Sequence, residues 1–419
     1  MKGREIGNGR GRPGQLSSKL MYQQNGKRMG MFQINNINGC VSSRIYTHSD
    51  DNTRNCDVSS LTRVKGLHDV LTGDQANRRY DLLLLDQFGV LHDGRKAYSC
   101  SQDAVIKAQN MFSIPSVIIS NSSRRVETTF DSLRTKGFDC NLFEGCITSG
   151  EVTYQSLVLP RHNDFFSKLG PRCVHVTWKD RNPINVDNPT IDSASRGKTN
   201  SIDLETKSTG VEAVGLSYEI ADFVLMHGVE AIGKTKLQKN GTFSEDLETI
   251  DIESLLALLN KCAERHLPLI VANPDVCTVD GNQNQLQLMP GWFARQYDNM
   301  GGKFVLMGKP NSVIFDAALS IHNQANEAAQ NIVDRRRVLV VGDSLAHDIA
   351  GGSRAGFDTL FITKGIHYHE IYEGNNVEDS AKDGKWKTSQ GVRDRILHLC
   401  KEIDVPLPTY YAETLGLAW

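Results

Sequence analysis

The stretch YDLLLLDQFGVLHDG, residues 80–94, decides the fold. Four consecutive leucines bounded by Asp81 and Asp86 are too few for a buried helix and too apolar for a strand with one face in solvent. They predict a central parallel strand that is covered on both faces. Because Gly89 allows a sharp turn after this strand, Asp86 is expected at the carboxyl edge of a sheet, where open α/β sheets bind their ligands.

Strand and helix patterns alternate along the rest of the chain. Strands are predicted at Leu82–Leu85, Ser116–Ser120, Cys146–Ser149, Cys173–Trp178, Asp222–His227, Pro268–Asn273, Lys303–Met307, Arg337–Val341 and Thr359–Thr363. Helical spacing separates most of them, which indicates an α/β fold with a doubly wound, Rossmann-like parallel sheet. The pattern restarts between residues 152 and 297, so a second, smaller α/β domain is predicted inside the first.

The predicted domain boundaries combine these patterns with local composition. They are a basic, disordered extension at 1–70, a first core part at 76–151, an inserted α/β domain at 152–297 with a polar insertion at 179–210, a second core part at 298–403, and a tail at 404–419. The strand at Lys303–Met307 is assigned to the resumed core. The tail has two alternatives: it packs back on the core, or it extends away from it.

The composition excludes several functional classes. The chain has 419 residues, of which 39% are hydrophobic and 23% charged, as is usual for globular domains. A net charge of −2 gives no basic footprint for nucleic acid or for an acidic membrane surface. No apolar run approaches the roughly 18 residues that span a bilayer, and the nine cysteines are scattered without a CxxC pair, as expected for reduced intracellular thiols.

The amino terminus bears on the compartment. Residues Met1–Ser49 contain eight Lys and Arg residues but one acidic residue, Glu5. This composition resembles an organelle transit peptide, and a merely solvated tail is an equal alternative. We therefore expect an intracellular protein, in a chloroplast or mitochondrion if the segment is a transit peptide and in the cytoplasm otherwise.

Four short polar signals follow separate predicted strands. They are Asp86, the pair Ser120 and Asn121, Lys309 in the sequence MGKP, and Asp343 followed by Asp348. A carboxylate nucleophile, hydroxyl and amide donors, a lysine and a further carboxylate for a hard cation are the parts that phosphoryl transfer needs. Each signal alone is common in turns and caps; the four together favour a phosphoryl-transfer site.

These motifs resemble those of the haloacid dehalogenase (HAD) superfamily in order and strand placement. The matching segments are DQFGVLHDG at 86–94, IISNS at 118–122, ANPD at 272–275, MGKP at 307–310 and GDSLAHDIAGGSRAGFDTLFITKG at 342–365. The likeness is to the branch that carries an α/β cap between the second and third motifs and includes para-nitrophenyl phosphatases and sugar-phosphatase-like proteins. It implies a HAD core with an inserted cap and covers roughly residues 79–365.

The resemblance implies a role for each matching residue. Asp86 corresponds to the nucleophile that forms an aspartyl-phosphate, and Lys309 to the lysine that balances its charge. Ser120 and Asn121 correspond to the phosphate-binding positions. In the cap, Asn273 and Asp275 are candidates for substrate contacts, although a plain Asx-Pro turn explains them nearly as well.

The resemblance also implies a magnesium site. Asp86, Asp343 and the backbone carbonyl of Phe88 correspond to the ligands of Mg²⁺, and Asp348 to a residue that orients the metal waters or the lysine. The implied partner is a small phosphorylated metabolite, and a homodimer formed through the cap is a further expectation. Neither nucleic acid nor a membrane is expected as a partner.

One position departs from the family pattern. The family phosphatases carry a second aspartate two residues after the nucleophile, which protonates the leaving group; this chain has Phe88 there. General acid catalysis contributes about 10²–10⁴ in rate, so esters with poor leaving groups should react slowly. Asp343 and Asp348 nevertheless keep the acidic pattern of the metal site, so we expect a Mg²⁺-dependent phosphatase or phosphotransferase. A catalytically weak protein that binds phosphometabolites, or a metal-independent, dehalogenase-like hydrolase, stays open as an alternative.

Overall fold

A computed structural model gives the fold of the chain. It describes residues 61–72, 80–161, 165–179, 209–237, 239, 243–280, 285–326, 333–372 and 389–416, together with four two-residue strands near the amino terminus. The predicted polar insertion lies outside the described residues over 180–208. The chain divides into two compact units, Met1–Arg44 and Ile45–Trp419.

The first unit contains two antiparallel strand pairs. Its strands are β1 Lys19–Leu20, β2 Gln23–Gln24, β3 Lys27–Arg28 and β4 Phe32–Gln33. Strand β1 pairs with β4, and β2 pairs with β3. The predicted disorder of this segment stays a prediction.

The second unit contains the remaining strands and the helices. In chain order the strands are β5 Thr62–Arg63, β6 Leu82–Leu85, β7 Ser116–Ser120, β8 Gly145–Thr148, β9 Arg172–Thr177, β10 Glu212–Ala213, β11 Phe223–Met226, β12 Ala231–Leu237, β13 Phe243–Thr249, β14 Leu269–Val271, β15 Cys277–Asp280, β16 Gln285–Leu288, β17 Phe304–Leu306, β18 Val338–Gly342, β19 Asp358–Ile362 and β20 Tyr410–Ala412. The α-helices are Leu67–Thr72, Ser99–Phe112, Val126–Thr135, Ser149–Leu157, Ile252–Glu264, Pro290–Asn299, Ser312–Ala325, Ala350–Arg354, Tyr368–Tyr372 and Ser389–Glu402. No helix among the described residues is both long enough and apolar enough to cross a lipid bilayer.

The core sheet has seven parallel strands in the order β5-β20-β19-β18-β6-β7-β8. Alternate residues of the central strand β6 enter different apolar clusters: Leu83 and Leu85 join one, and Leu82 and Leu84 join the other. Since side chains alternate across a strand, both faces of the sheet are covered. This confirms the doubly wound parallel sheet.

The cap sheet also has seven strands, in the order β13-β12-β9-β11-β14-β17 with β10 beside β9. Strand β12 runs antiparallel to both of its neighbours, while the other pairs are parallel. Cap residues such as Phe223 and Ile270 share one buried cluster with Leu84 of the core and with Ile314 and Phe315 of the helix Ser312–Ala325. The inserted α/β cap is therefore present and packs directly on the core.

Strand membership differs from the prediction at two places. The strand predicted at Lys303–Met307 exists as β17, but it pairs with β14 of the cap sheet, so its assignment to the core sheet was wrong. At the other end of the core sheet, β20 from the tail pairs with β19 and with β5, which places the tail and residues 61–72 in the fold. The other predicted domain boundaries stay predictions.

A buried chain of polar side chains lies in the cap. Glu245 contacts Nδ1 of His175 at 2.5 Å, and Nε2 of His175 contacts Nδ1 of His227 at 2.7 Å. Nε2 of His227 is buried and has no hydrogen-bond partner among the residues that the structure describes. Burial, with a smaller contribution from His175, lowers the pKa of His227 well below its ordinary value.

This depressed pKa predicts that acid weakens the fold. Unfolded histidine titrates near about pH 6.5, so below that pH the unfolded chain binds a proton that folded His227 does not bind. The free energy of unfolding should therefore fall as pH drops through about 6.5, by up to about 1.4 kcal/mol per pH unit for this group. In urea unfolding between pH 7.5 and 5.5, His227→Gln should reduce that slope, whereas His398→Gln, at a 67% exposed side chain, should not. Equal slopes in the wild type and His227→Gln would contradict this prediction.

Candidate active site

The predicted site residues meet at the carboxyl edge of the core sheet. Asp86 directly follows β6, Ser120 ends β7, and Asp343 directly follows β18, and these three strands are neighbours in the sheet. Lys309 arrives from the cap sheet, three residues after the end of β17. The site is thus assembled from strand ends of both sheets.

Lys309 connects two of the carboxylates. Its Nζ donates to Oδ1 of Asp86 at 2.6 Å and to Oδ1 of Asp348 at 2.7 Å, with a longer contact of 3.4 Å to the carbonyl oxygen of Ile119. All three charged side chains are at least nine-tenths buried. Burial opposes the lysine charge, but Asp348 and Asp86 outweigh it and raise the pKa of Lys309, so the ammonium form is held.

A third carboxylate completes an acidic group. One oxygen each of Asp86, Asp343 and Asp348 lie within 4.8 Å of one another. Oδ2 of Asp343 accepts from the backbone N–H of Ile366 at 2.7 Å, and Oδ2 of Asp348 accepts from that of Ser344 at 3.1 Å. These backbone donors fix two of the three carboxylates.

The turn at Gly89 requires glycine. Its φ of +81° lies in the left-handed region, and a Cβ there would lie 1.9 Å from Oδ2 of Asp343. A side chain at this position would therefore displace the Asp343 carboxylate. Gly89 allows the loop after β6 to approach the carboxylate that follows β18.

The charge balance of the site fits a divalent cation. Burial, and next the neighbouring Asp86, raises the pKa of Asp343. Burial also raises the pKa of Asp86; Lys309 opposes that effect, and Asp348 adds to it. Three carboxyl groups face one lysine, and buried carboxylate charge in excess of that lysine is stable only when a proton or a metal ion neutralises it. Clustered carboxylate oxygens are the ligands that Mg²⁺ takes, so these residues fit the predicted ion; the Phe88 carbonyl as a further ligand stays a prediction.

Asn121 connects the core to the segment that carries Lys309. Its Oδ1 accepts from the backbone N–H of Lys309 at 2.7 Å, and its Nδ2 donates to Oδ1 of Asp275 at 2.9 Å and to the carbonyl of Lys309 at 3.2 Å. These contacts occupy the side-chain amide. Asn121 therefore braces the site, and its predicted contact with phosphate stays a prediction.

The two cap residues take different parts. Asn273 accepts from the backbone N–H of Asp275 at 3.0 Å, which is the local geometry of an Asx turn. Asp275 reaches the site through Asn121 and lies 3.6 Å from Nδ1 of His347. Of the two predicted substrate contacts, Asp275 has polar side-chain contacts to the core.

Sequence reasoning missed the role of Gln87. Its Nε2 donates to Oγ of Ser120 at 2.6 Å, so it joins the loop after β6 to the end of β7. The available signal was its place: a polar side chain directly after Asp86, at a predicted sheet edge, needs a polar partner if it is buried. The backbone contact from Ile366 to Asp343 had no such signal, because any residue supplies an N–H.

Loss of the lysine should destabilise the fold. In Lys309→Met the carboxylates of Asp86 and Asp348 lose their shared cation while buried, and breaking a buried ion pair costs about 3–5 kcal/mol. Urea unfolding in the presence of a chelator should show this loss. The control is Lys236→Met, because Lys236 and its partner Asp246 are both more than half exposed and should contribute at most about 1 kcal/mol. Equal losses in the two variants would contradict the buried network.

Two family models match this chain. Residues 83–177 match a model for haloacid dehalogenase-like hydrolases, and residues 306–382 match a second model described as HAD-hydrolase-like. No relative was found among curated protein sequences.

Several solved structures share the fold. A haloacid dehalogenase-like hydrolase from Brucella suis is 22% identical, with a TM-score of 0.55 over 84% of this chain and 99% of that chain. A possible sugar phosphatase from Cytophaga hutchinsonii is 18% identical, with a TM-score of 0.53 over 85% and 100% of the two chains. A p-nitrophenyl phosphatase from Archaeoglobus fulgidus is 17% identical, with a TM-score of 0.50 over 80% and 97%.

The segments that match the two family models contain the residues of the site. The first matched segment contains Asp86 and Ser120, and the second contains Lys309, Asp343 and Asp348. The cap lies largely between the two segments. The chain therefore contains a haloacid dehalogenase-like hydrolase domain, with its core divided by an inserted α/β cap.

Proposed function

We propose that this protein is a Mg²⁺-dependent phosphatase or phosphotransferase that acts on a small phosphorylated metabolite through an aspartyl-phosphate on Asp86. The observation that carries the proposal is the buried group of Asp86, Asp343 and Asp348 around Lys309 at the carboxyl edge of the core sheet. The similar structures described as a possible sugar phosphatase and a p-nitrophenyl phosphatase support a small phosphate ester as the substrate class.

Asp86 is the nucleophile in this proposal. Its Oδ1 accepts from Lys309, so we assign the attack on phosphorus to Oδ2. The bond from phosphorus to the leaving group breaks as the new bond forms, and water then hydrolyses the aspartyl-phosphate. Lys309 opposes the effect of burial on the pKa of Asp86 and positions its carboxyl group, and Asp348 holds Lys309 from the other side.

Asp86 and Asp343 would hold the magnesium ion. Bound magnesium supplies positive charge that offsets the charge of the phosphoryl oxygens. The backbone donor from Ile366 orients the Asp343 carboxylate for this task, and Ser120 donates its hydroxyl hydrogen bond to a phosphoryl oxygen.

Neither Phe88 nor His92 can protonate the leaving group. Phe88 cannot donate a proton, and burial, followed by the charge of Lys136, lowers the pKa of His92 to about 4, so His92 is neutral near pH 7. Both of its ring nitrogens already face hydrogen-bond partners. We therefore expect substrates whose leaving groups depart unprotonated, such as aryl and acyl phosphates.

A second candidate is a protein that binds phosphometabolites with little turnover. The observation in its favour is Phe88 at the usual position of the acid, combined with an intact group of carboxylates. Asp343 and Asp348 also argue against a metal-independent, dehalogenase-like hydrolase, because displacement by the Asp86 carboxylate without a metal needs no further carboxylates for a cation. The homodimer through the cap and the cellular compartment stay predictions.

A phosphate-release screen tests the proposal. Acyl, aryl and alkyl phosphates are incubated with the protein in magnesium or in chelator, beside Asp343→Asn, and magnesium affinity is measured by calorimetry. We expect the wild type to release phosphate in magnesium but not in chelator. Asp343→Asn should bind magnesium at least about tenfold more weakly, since a ligating charge is lost. Release that persists in chelator would support the metal-independent hydrolase, and magnesium binding without any release would support the binding protein.

A further inference from the structure

A network of hydrogen bonds runs to Ser120 from the hairpin after β6, in which His92 pairs with Ala97 in antiparallel orientation. The backbone N–H of Gly94 donates to Nδ1 of His92 at 3.0 Å. Nε2 of His92 lies 3.4 Å from Oε1 of Gln87, and Nε2 of Gln87 lies 2.6 Å from Oγ of Ser120. The side chains of His92, Gln87 and Ser120 belong to residues that are no more than 9% exposed, so water competes little for these contacts.

The hydrogen bonds of this network all donate in the same direction, toward Ser120. Because Nδ1 of His92 accepts from Gly94, the ring proton of the neutral imidazole is on Nε2, which donates to Oε1 of Gln87. The amide of Gln87 is thereby oriented with its Nε2 toward Ser120. The 2.6 Å contact to Ser120 is the strong step and the 3.4 Å contact of His92 the weak one.

The network ends at the Ser120 hydroxyl, whose two acceptor lone pairs are both engaged. Oγ of Ser120 accepts from Gln87 and, at 3.2 Å, from the backbone N–H of Ser122. A hydroxyl has two acceptor lone pairs and one donor hydrogen. Because both lone pairs are engaged, the hydroxyl hydrogen of Ser120 is left for an acceptor that does not belong to this hydrogen-bond network.

We propose that Gln87 is a positioning residue which fixes the Ser120 hydroxyl as a hydrogen-bond donor to the phosphoryl group, with His92 holding the Gln87 amide in the required orientation. This inference rests on the proposed function, because it takes phosphate as the ligand of Ser120. Gln87 acts through Ser120 and does not itself contact the substrate.

The same network ties the phosphate contact to the hairpin. The backbone N–H groups of Leu91 and His92 donate to the carbonyl of Gln87 at 2.9 and 3.1 Å, and the N–H of Gly89 donates to the carbonyl of His92 at 2.9 Å. The hairpin therefore holds Gln87 by its backbone as well as by its side chain. A conformational change of the hairpin should therefore move Gln87 and alter its hydrogen bond to Ser120.

A double-mutant cycle tests the inference with inorganic phosphate as the probe. Phosphate affinity is measured by calorimetry in saturating magnesium for the wild type, Gln87→Leu, Ser120→Ala and the double variant. One buried hydrogen bond changes an equilibrium by about three- to tenfold, so Gln87→Leu should weaken phosphate binding by roughly that factor. If Gln87 acts through Ser120, Gln87→Leu should have no further effect in the Ser120→Ala background.

Further variants separate positioning from packing. Gln87→Glu has nearly the same shape but can only accept, so it should capture the Ser120 hydrogen and weaken phosphate binding more than Gln87→Leu does. His92→Leu should cost at most about threefold, in line with its longer contact. Gln102→Leu is the matched control, because Gln102 donates to the carbonyl of Lys136 outside the site. Magnesium affinity, which depends on the neighbouring carboxylates, should stay unchanged in the uncharged variants Gln87→Leu, His92→Leu and Gln102→Leu.

The outcomes distinguish a failure of the proposed function from a failure of the role assigned to Gln87. A wild-type protein that binds magnesium but not phosphate overturns the proposed function and, with it, this inference. Phosphate binding that Gln87→Leu and Gln87→Glu both leave unchanged overturns the inference alone. Independent, additive losses from Gln87→Leu and Ser120→Ala also overturn it, because they show that Gln87 does not act through Ser120.

Discussion

Replacement of Asp86 by asparagine is expected to remove measurable phosphate release, a loss of at least about 10⁴-fold in kcat. A neutral amide is a poor nucleophile toward phosphorus, whereas a carboxylate held beside a lysine is a competent one. Asparagine keeps an oxygen that accepts from Lys309, so the fold should tolerate the change. The measurement is kcat on the best substrate of the phosphate-release screen, with freshly purified protein because slow deamidation of asparagine would regenerate aspartate.

Asp81→Asn is the control for this experiment. Asp81 flanks the opposite end of the same leucine strand and pairs with Arg337, and both side chains are more than one-third exposed. Its substitution changes the same chemical group at a distance from the site, so kcat should stay within about twofold of the wild type, as for most exposed positions. Retention of activity in Asp86→Asn would mean that another group attacks phosphorus or that water attacks directly.

The parts of the fold that were predictable are the fully buried strands. β6, β7 and β18 are short apolar runs in which every residue is buried, and such runs have few alternatives to a central parallel strand. The motifs after these strands were predictable for the same reason, because a residue that follows a parallel strand lies at a known edge of the sheet. Asp86, Ser120 and Asp343 meet as that argument requires.

The assignment of β17 failed because local sequence does not select a pairing partner. All three residues of β17 are only partly buried, and they pair with β14 at the edge of the cap sheet. Lys309 still reaches Asp86, since the contact requires only that the following loop ends at the site. The short strands β5 and β20 were missed as well: two or three residues carry too little periodicity to be read as strands.

Side-chain hydrogen bonds were the least predictable part of the site. The motif identified Ser120 and Asn121 as phosphate-binding positions, yet Asn121 forms its contacts with Asp275 and Lys309, and Ser120 accepts from Gln87. These partners are separated by many residues along the chain and share no spacing. They follow from how the cap packs on the core, which only the tertiary structure defines.

The second large effect is expected at Phe88. Phe88→Asp should raise kcat/KM on alkyl phosphates by about 10²–10⁴, the usual contribution of a general acid, and should change para-nitrophenyl and acyl phosphates little. Phe88 is 52% exposed, so its replacement removes little buried surface. It lies against Gly94, where an added Cβ would come within 2.8 Å of the ring, and 6.1 Å from the His92 ring centroid.

The dependence of kcat/KM on leaving-group pKa is the measurement that decides the role of Phe88. In the wild type the dependence should be steep, because an alkoxide departs unassisted while a phenolate or carboxylate needs no proton. In Phe88→Asp it should flatten, since a carboxyl group then protonates the departing oxygen. Phe88→Asn is the matched control: it has the size of aspartate but no acidic proton, so its profile should stay as steep as that of the wild type. A wild-type profile that is already flat would contradict the prediction and would mean that another group supplies the proton.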